Sequence, residues 1–250
     1  MNINMLEYFY NSIIILSGII IFQYILDFFK KKEKIIISIE GNIGAGKTTF
    51  LDKLKEKISD SVFIKEPVDI WLSLKDNNEV NILEKFYKNP KRWCYTFQNL
   101  AFITRLNRIL DEYYNSDKKF IFSDRITNSD REIFATMSKQ DKLMNNIEWE
   151  IYNFWYNNTF INKLLNKKIY YIYLKSNPNV CLERINKRSR SEEVSIKIEY
   201  LNKLHNLHEK WLNKKADNIL ILDNDDDYLK NENILKLKIN KVNKFLKNIN

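Results

Sequence analysis

The sequence predicts an α/β protein: a five-stranded parallel sheet flanked by helices, organised around a phosphate-binding loop. Three observations carry this. An apolar, β-branched run at 35–39 is long enough for one strand and too short for a helix. It leads into Gly41-Asn42-Ile43-Gly44-Ala45-Gly46-Lys47-Thr48, which matches G-x-x-x-x-G-K-[ST] at every fixed position. Beyond it, strand and helix patterns alternate, as crossover connections between parallel strands require.

The loop is a specific signal because three of the four glycines in the chain lie in it. Glycines let successive backbone N–H groups turn inward around a phosphate, Lys47 reaches the β/γ oxygens, and the Thr48 hydroxyl can ligate Mg²⁺. The phosphate cradle is therefore expected over 41–49, ending in Thr48 and Thr49. A helix that follows through Phe50, Leu51 and Leu54 directs its positive end at the same anion.

Ahead of the loop, 8–26 contains no charged residue and is about long enough to cross a bilayer. Lys30, Lys31 and Lys32 follow, which orients such a span with the main domain in the cytosol. The expectation is a membrane anchor through 8–29 with a basic stretch to 34, then one domain over 35–250. A hydrophobic helix packed on the domain or on another subunit is the competing reading, and would leave the protein cytoplasmic. No basic n-region, cleavage site or early arginine supports a cleaved signal or a mitochondrial presequence.

Strands are expected at 35–39, 62–65, 120–123, 169–174 and 219–222. Helices are expected at 48–58, 93–115, 130–136, 147–165, 178–187 and 196–213. A covering helix at 234–246 has lysines between its apolar positions. No repeat or Pro/Ser-rich linker divides the domain. The net charge of +9 is spread along the chain with no recognition motif beside it, so nucleic acid is not an expected partner. Cys94 and Cys181 form no metal or redox spacing and are expected to be buried.

In open parallel sheets ligands bind beyond the carboxyl ends of the strands. The second strand ends in Glu66-Pro67, placing a carboxylate where a general base could stand. A surface glutamate before a proline is the plain alternative. The third strand ends in Asp124-Arg125, a metal ligand and an anion clamp, or else a strand-end salt bridge. Arg184, Arg188 and Arg190 could close over phosphates as a lid, or simply form a solvated helix end. His205 and His208 share a helix face, but a metal site needs more ligands than these two.

Taken together, GNIGAGKTTF, EPVDIW, FYKNPKRWCYTFQNLAFITRL, SDRITNSDREIFA, RSRSEE and YLNKLHNLHEKWL resemble the deoxynucleoside kinases, nearest the deoxycytidine/deoxyguanosine kinase branch. The resemblance covers about 35–225 and leaves out the N-terminal segment. It implies a P-loop kinase fold with an arginine-rich lid, ATP with Mg²⁺, a homodimer, and a 5′-monophosphate product used in nucleotide salvage. It implies Glu66 as the base on the 5′-hydroxyl, Arg125 as the arginine that helps hold it, and Lys47 on the donor phosphates. Tyr87 and Glu193 match the pair on the sugar 3′-hydroxyl and Gln98 the base-reading glutamine. Phe134 would stack beneath the base, with Trp71 and Phe97 lining the pocket. Arg188 and Arg190, with Arg184 alongside, match the lid, and Thr48 with Asp124 the metal site.

Ala101, Arg105 and Asp130 resemble the set in kinases of deoxycytidine and purine deoxynucleosides, which disfavours thymidine. Two departures stand out: Asp124-Arg125-Ile126 replaces the commoner Glu-Arg-Ser, and the apolar segment is unusual for this family. A non-catalytic membrane subunit is disfavoured by the intact Lys47, Thr48, Glu66 and Arg125. A nucleoside monophosphate kinase is disfavoured by Glu66, which would repel a phosphate already on the acceptor.

Overall fold

The computed structural model describes residues 34–158, 169–190, 193 and 196–249. The expected anchor at 8–29 and the end of the expected helix 147–165 lie outside the described residues. Among the described residues no helix is long and apolar enough to cross a membrane.

All five strands form within a residue of their expected ends: β1 (Ile35–Glu40), β2 (Ser61–Ile64), β3 (Phe120–Asp124), β4 (Ile169–Lys175) and β5 (Ile219–Asp223). They make one parallel sheet in the order β2-β3-β1-β4-β5. β1 is central, pairing Ile35 with Phe120 on one side and Ile36 with Ile169 on the other. The chain thus winds outward on both sides of β1, and the crevice for a ligand opens at its carboxyl end.

Strand alternation divides the core in two. Ile35, Ile37 and Ile39 pack under α1 (Lys47–Lys55) and the C-terminal helix, here α9 (Glu232–Asn248), through Phe50, Leu51, Leu54, Val242 and Leu246. Ile36 points to the opposite layer, as do the strand neighbours Ile121, Tyr171 and Tyr173. That layer is built by α4 (Pro90–Asn115), α5 (127–140), α6 (Asn146–Asn158), α7 (Pro178–Arg188) and α8 (Ile198–Leu212).

Helix α4 starts three residues earlier than expected. Asn89 accepts from the Arg92 N–H at 3.3 Å and Pro90 occupies the first turn, where its missing N–H costs nothing. Its buried face, Cys94, Phe97, Gln98, Ala101, Phe102, Arg105 and Ile109, follows helical spacing and includes two polar residues that the site uses. The expected helix 130–136 is the middle of α5, where Asp130–Ala135 is wound as a π-helix between Thr127–Ser129 and Thr136–Gln140. Two short helices were not expected: α2 (Val68–Ser73) and α3 (Ile82–Lys88). Both cysteines are buried and unbridged.

Gly44 cannot be replaced within this packing. Its φ is +80° and an added Cβ would lie 2.4 Å from the Cys181 carbonyl oxygen of α7. Gly44→Ala should destabilise the fold by about 1–3 kcal/mol from backbone strain alone and disrupt the phosphate cradle. Thermal unfolding and nucleotide binding on the same preparation check both effects.

Candidate active site

The phosphate loop is held from three sides. The Asn42 side-chain amide donates to the Leu201 carbonyl of α8 at 2.9 Å, and Asn224, beyond β5, donates to the Ala45 carbonyl at 2.7 Å. The Tyr228 hydroxyl donates to the Gly46 carbonyl at 3.3 Å. Lys47 folds back onto the Asn42 carbonyl at 2.9 Å, so the loop fixes its own cation. Burial, and next the neighbouring Arg125, pull the Lys47 ammonium down to about 8.

From this loop a cavity of about 650 Å³ runs to an aromatic slot between α2, α3 and α4. Trp71 and Phe97 meet edge to face at 5.2 Å, Phe86 stacks on Phe97 at 4.8 Å, and the Trp71 indole N–H donates to the Thr104 hydroxyl at 3.0 Å. The slot therefore offers aromatic faces suited to a flat ring. At its floor Gln98 is buried, and its Oε1 has no hydrogen-bond partner among the described residues. Buried acceptors are normally matched, so this oxygen is suited to a ligand donor.

Between slot and loop stands a buried guanidinium. Arg105 donates to both oxygens of Asp130, at 3.0 and 3.2 Å, to Glu66 Oε1 at 3.0 Å and to the Asp124 carbonyl at 3.1 Å. Glu66 faces the cavity with 27% of its side chain exposed, so a substrate can reach it. Burial raises its proton affinity, but Arg105, then Arg125 and Lys47, outweigh this and hold the carboxyl below its usual range. Asp130, enclosed more completely, is pushed upward by burial despite Arg105. Arg125 approaches Glu66 more loosely, Nε to Oε1 at 3.9 Å, and lies over the Phe134 ring at 4.8 Å.

The metal candidates meet. The Thr48 hydroxyl donates to Asp124 Oδ2 at 2.6 Å, and the buried Oδ1 of Asp124 has no hydrogen-bond partner among the described residues. Hydroxyl and carboxylate oxygens are the hard donors that Mg²⁺ prefers, with waters and phosphates filling the rest of its shell. The shorter aspartate still reaches Thr48. Ile126 sits in the core at 1% exposure, where a hydroxyl would need a partner. No cluster of three or more His, Cys, Asp or Glu suited to a metal occurs among the described residues, and His205 and His208 are not part of one.

At the end of α7 and just beyond it, Arg188 and Arg190 both reach the Glu193 carboxylate, Arg190 at 3.5 Å. Tyr87 lines the same cavity, with burial holding its phenol protonated as a donor. Four expected residues stand outside the cavity wall. Gly41, Asn42 and Ala45 shape the loop from behind, and Arg184 donates instead to the carbonyls of Asn224, Asp225 and Asp226 at 2.9, 3.0 and 3.2 Å. The cavity also uses Val68, Leu72, Leu83 and Phe86 on the two unexpected helices. A signal for α3 was present: Asn81 accepts from the Glu84 N–H at 2.9 Å, an N-cap with a glutamate three residues on.

The family model for deoxynucleoside kinases matches residues 37–247. The chain belongs to the deoxynucleoside kinase family. Its activity is accordingly ATP-dependent phosphorylation of a deoxynucleoside. It is 38% identical to human deoxycytidine kinase over 223 residues, covering 82% of this chain and 83% of that kinase. Chicken deoxycytidine kinase 2 is 34% identical, with 79% and 84% covered. Mitochondrial deoxyguanosine kinase of Xenopus laevis is 32% identical, with 73% and 75% covered.

The lowered Lys47 value has a measurable sign. Lowered to about 8, the free Lys47 loses its proton more readily than an ordinary lysine, whereas bound phosphates stabilise the cation. ATP binding near that pH should take up protons, and affinity should fall as pH rises further. Calorimetry in two buffers of different ionisation enthalpy reads the uptake.

Proposed function

We propose that this kinase transfers the γ-phosphate of ATP to the 5′-hydroxyl of deoxycytidine or a purine deoxynucleoside in preference to thymidine. The observation that carries the reading is Glu66, held ionised by Arg105 in the wall of the cavity that contains both the phosphate loop and the aromatic slot. A nucleoside with its base in the slot brings its 5′ end toward both Glu66 and the loop. Glu66 takes the hydroxyl proton as the oxygen attacks the γ-phosphorus in line, the bond from phosphorus to the β,γ-bridging oxygen breaks, and ADP leaves. Lys47 and the lid arginines Arg188 and Arg190 balance charge on the transferring group, so positioning and electrostatics do most of the work. Thr48 and Asp124 would hold Mg²⁺, which supplies further charge neutralisation on the donor phosphates. Tyr87 and Glu193 serve the sugar.

Base preference rests on three groups. The open Gln98 Oε1 accepts from an amino group, and the Arg105–Asp130 pair occupies the space beside it. Thymine has no exocyclic amino group and brings a methyl group instead. A second copy of the chain is the expected partner: Ile147, Phe154 and Trp155 on α6 and Ile103 on α4 expose apolar side chains of the kind a dimer buries. Anchoring through 8–29 is proposed on the sequence alone; that segment precedes the family match at 37–247.

With ATP and Mg²⁺, the four deoxynucleosides should divide: monophosphate from deoxycytidine or a purine, and a lower kcat/KM for thymidine, read by chromatography. Equal or better use of thymidine would reverse the preference. Glu66→Gln should lower kcat roughly 10²-fold or more while ATP binding is nearly retained. A near-normal rate removes Glu66 from its role. Full-length protein should stay in the pellet after alkaline carbonate extraction of membranes, and release would end the anchor idea.

A further inference from the structure

His208 is fully buried on α8 and lies outside the cavity wall. Its two ring nitrogens have partners of opposite kinds. Nδ1 lies 2.7 Å from the Leu204 carbonyl, which can only accept, so Nδ1 carries the proton. Nε2 lies 3.4 Å from Nη1 of Arg125, which can only donate, so Nε2 presents its lone pair. The ring is therefore one neutral tautomer. A second cation against the guanidinium in this enclosed place is disfavoured, and burial first and Arg125 second hold the imidazole well below its ordinary range. Tyr173 stacks on the ring at 5.9 Å with the planes 4° apart, which sets its tilt.

Arg125 needs such a holder. Its backbone is left-handed, φ +65°, an uncommon conformation for a non-glycine residue. Its carbonyl accepts from the Ser123 hydroxyl at 2.6 Å and its N–H donates to the Ile39 carbonyl at 3.2 Å, so the backbone is fixed. The side chain is less tightly paired. Its carboxylate neighbours stand at 3.8 Å (Glu40 Oε2) and 3.9 Å (Glu66 Oε1), beyond hydrogen-bond length. The Nη1 contact with His208 is the shortest polar contact of the guanidinium among the described residues. Behind it, Glu40 is anchored through Oε1 by the hydroxyls of Ser38 and Ser129.

We propose that His208 is a positioning residue for the kinase reaction: as a fixed neutral acceptor on Arg125 Nη1, it aims the guanidinium past Phe134 toward Glu66 and the transferring phosphoryl group. This goes beyond the function proposed above and rests on it. His208 stands behind Arg125 and outside the cavity wall, so its effect should fall on the chemical step.

The test pairs two substitutions in the full chain. His208→Phe keeps the ring and its stacking on Tyr173 but has no acceptor; His208→Gln can place an amide oxygen near the position of Nε2. His208→Phe should lower kcat roughly tenfold or more, the size expected for one lost hydrogen bond to a charged group, with KM for ATP within about twofold. His208→Gln should recover most of that loss. An unchanged kcat in His208→Phe, or equal losses in both variants at matched thermal stability, would overturn the proposal. If the wild-type protein phosphorylates no deoxynucleoside, the proposed function fails, and the holder is judged on ¹⁵N NMR of the wild-type imidazole. A neutral ring protonated at Nδ1, with Nε2 hydrogen-bonded, supports it; an Nε2-protonated or doubly protonated ring overturns it.

Discussion

The site depends on one buried cation. The Arg105 side chain is 3% exposed, and its fork joins α5 through Asp130, the end of β2 through Glu66 and the end of β3 through the Asp124 carbonyl. An isolated charge there would be heavily penalised, and removing one partner from such a buried set typically costs about 3–5 kcal/mol. Two carboxylates and a carbonyl satisfy it together. Glu66, which the proposed reaction uses as its base, and Asp130 therefore share a donor, and neither can be repositioned without disturbing the other.

This sharing was not legible in the sequence. Arg105 reads as half of a specificity pair with Asp130 and Arg125 as the residue that holds Glu66, because the family resemblance supplies those roles. The geometry adds the closer Arg105–Glu66 contact between residues from separate elements, which no local spacing encodes. Arg184 shows the same limit: three arginines near a helix end look alike, yet this one is taken up by backbone carbonyls next to the phosphate loop.

The strands were legible because each is a short apolar run, and β1 is buried along its whole length. Helix α4 was legible because its buried face repeats at helical spacing over 26 residues. Helices α2 and α3, of six and seven residues, are too short for any period to emerge. The π-helical turn in α5 has no sequence signal either, though it lies beside the site, as such turns frequently do. The layer that carries function is also distinct in chemistry. Ile35, Ile37 and Ile39 enter a cluster built mainly of Ile, Leu, Phe and Val side chains, whereas Ser38 and Glu40 on the other face begin the polar network that reaches Arg125.

The central place of β1 bears on how the protein is made. Its neighbours are the strands that begin at Phe120 and Ile169, and the loop that follows it is braced by Leu201, Asn224 and Tyr228. A growing chain emerges from the ribosome amino end first, so the phosphate loop is among the earliest parts of this domain to appear and among the last to take shape. Until nearly all of the domain has been synthesised, an apolar strand and a glycine-rich turn lack the partners they were built to meet. Parallel pairings across such separations close slowly and leave hydrophobic edges open meanwhile. The nascent domain therefore leaves this strand and loop open to aggregation until Leu201, Asn224 and Tyr228 have been added.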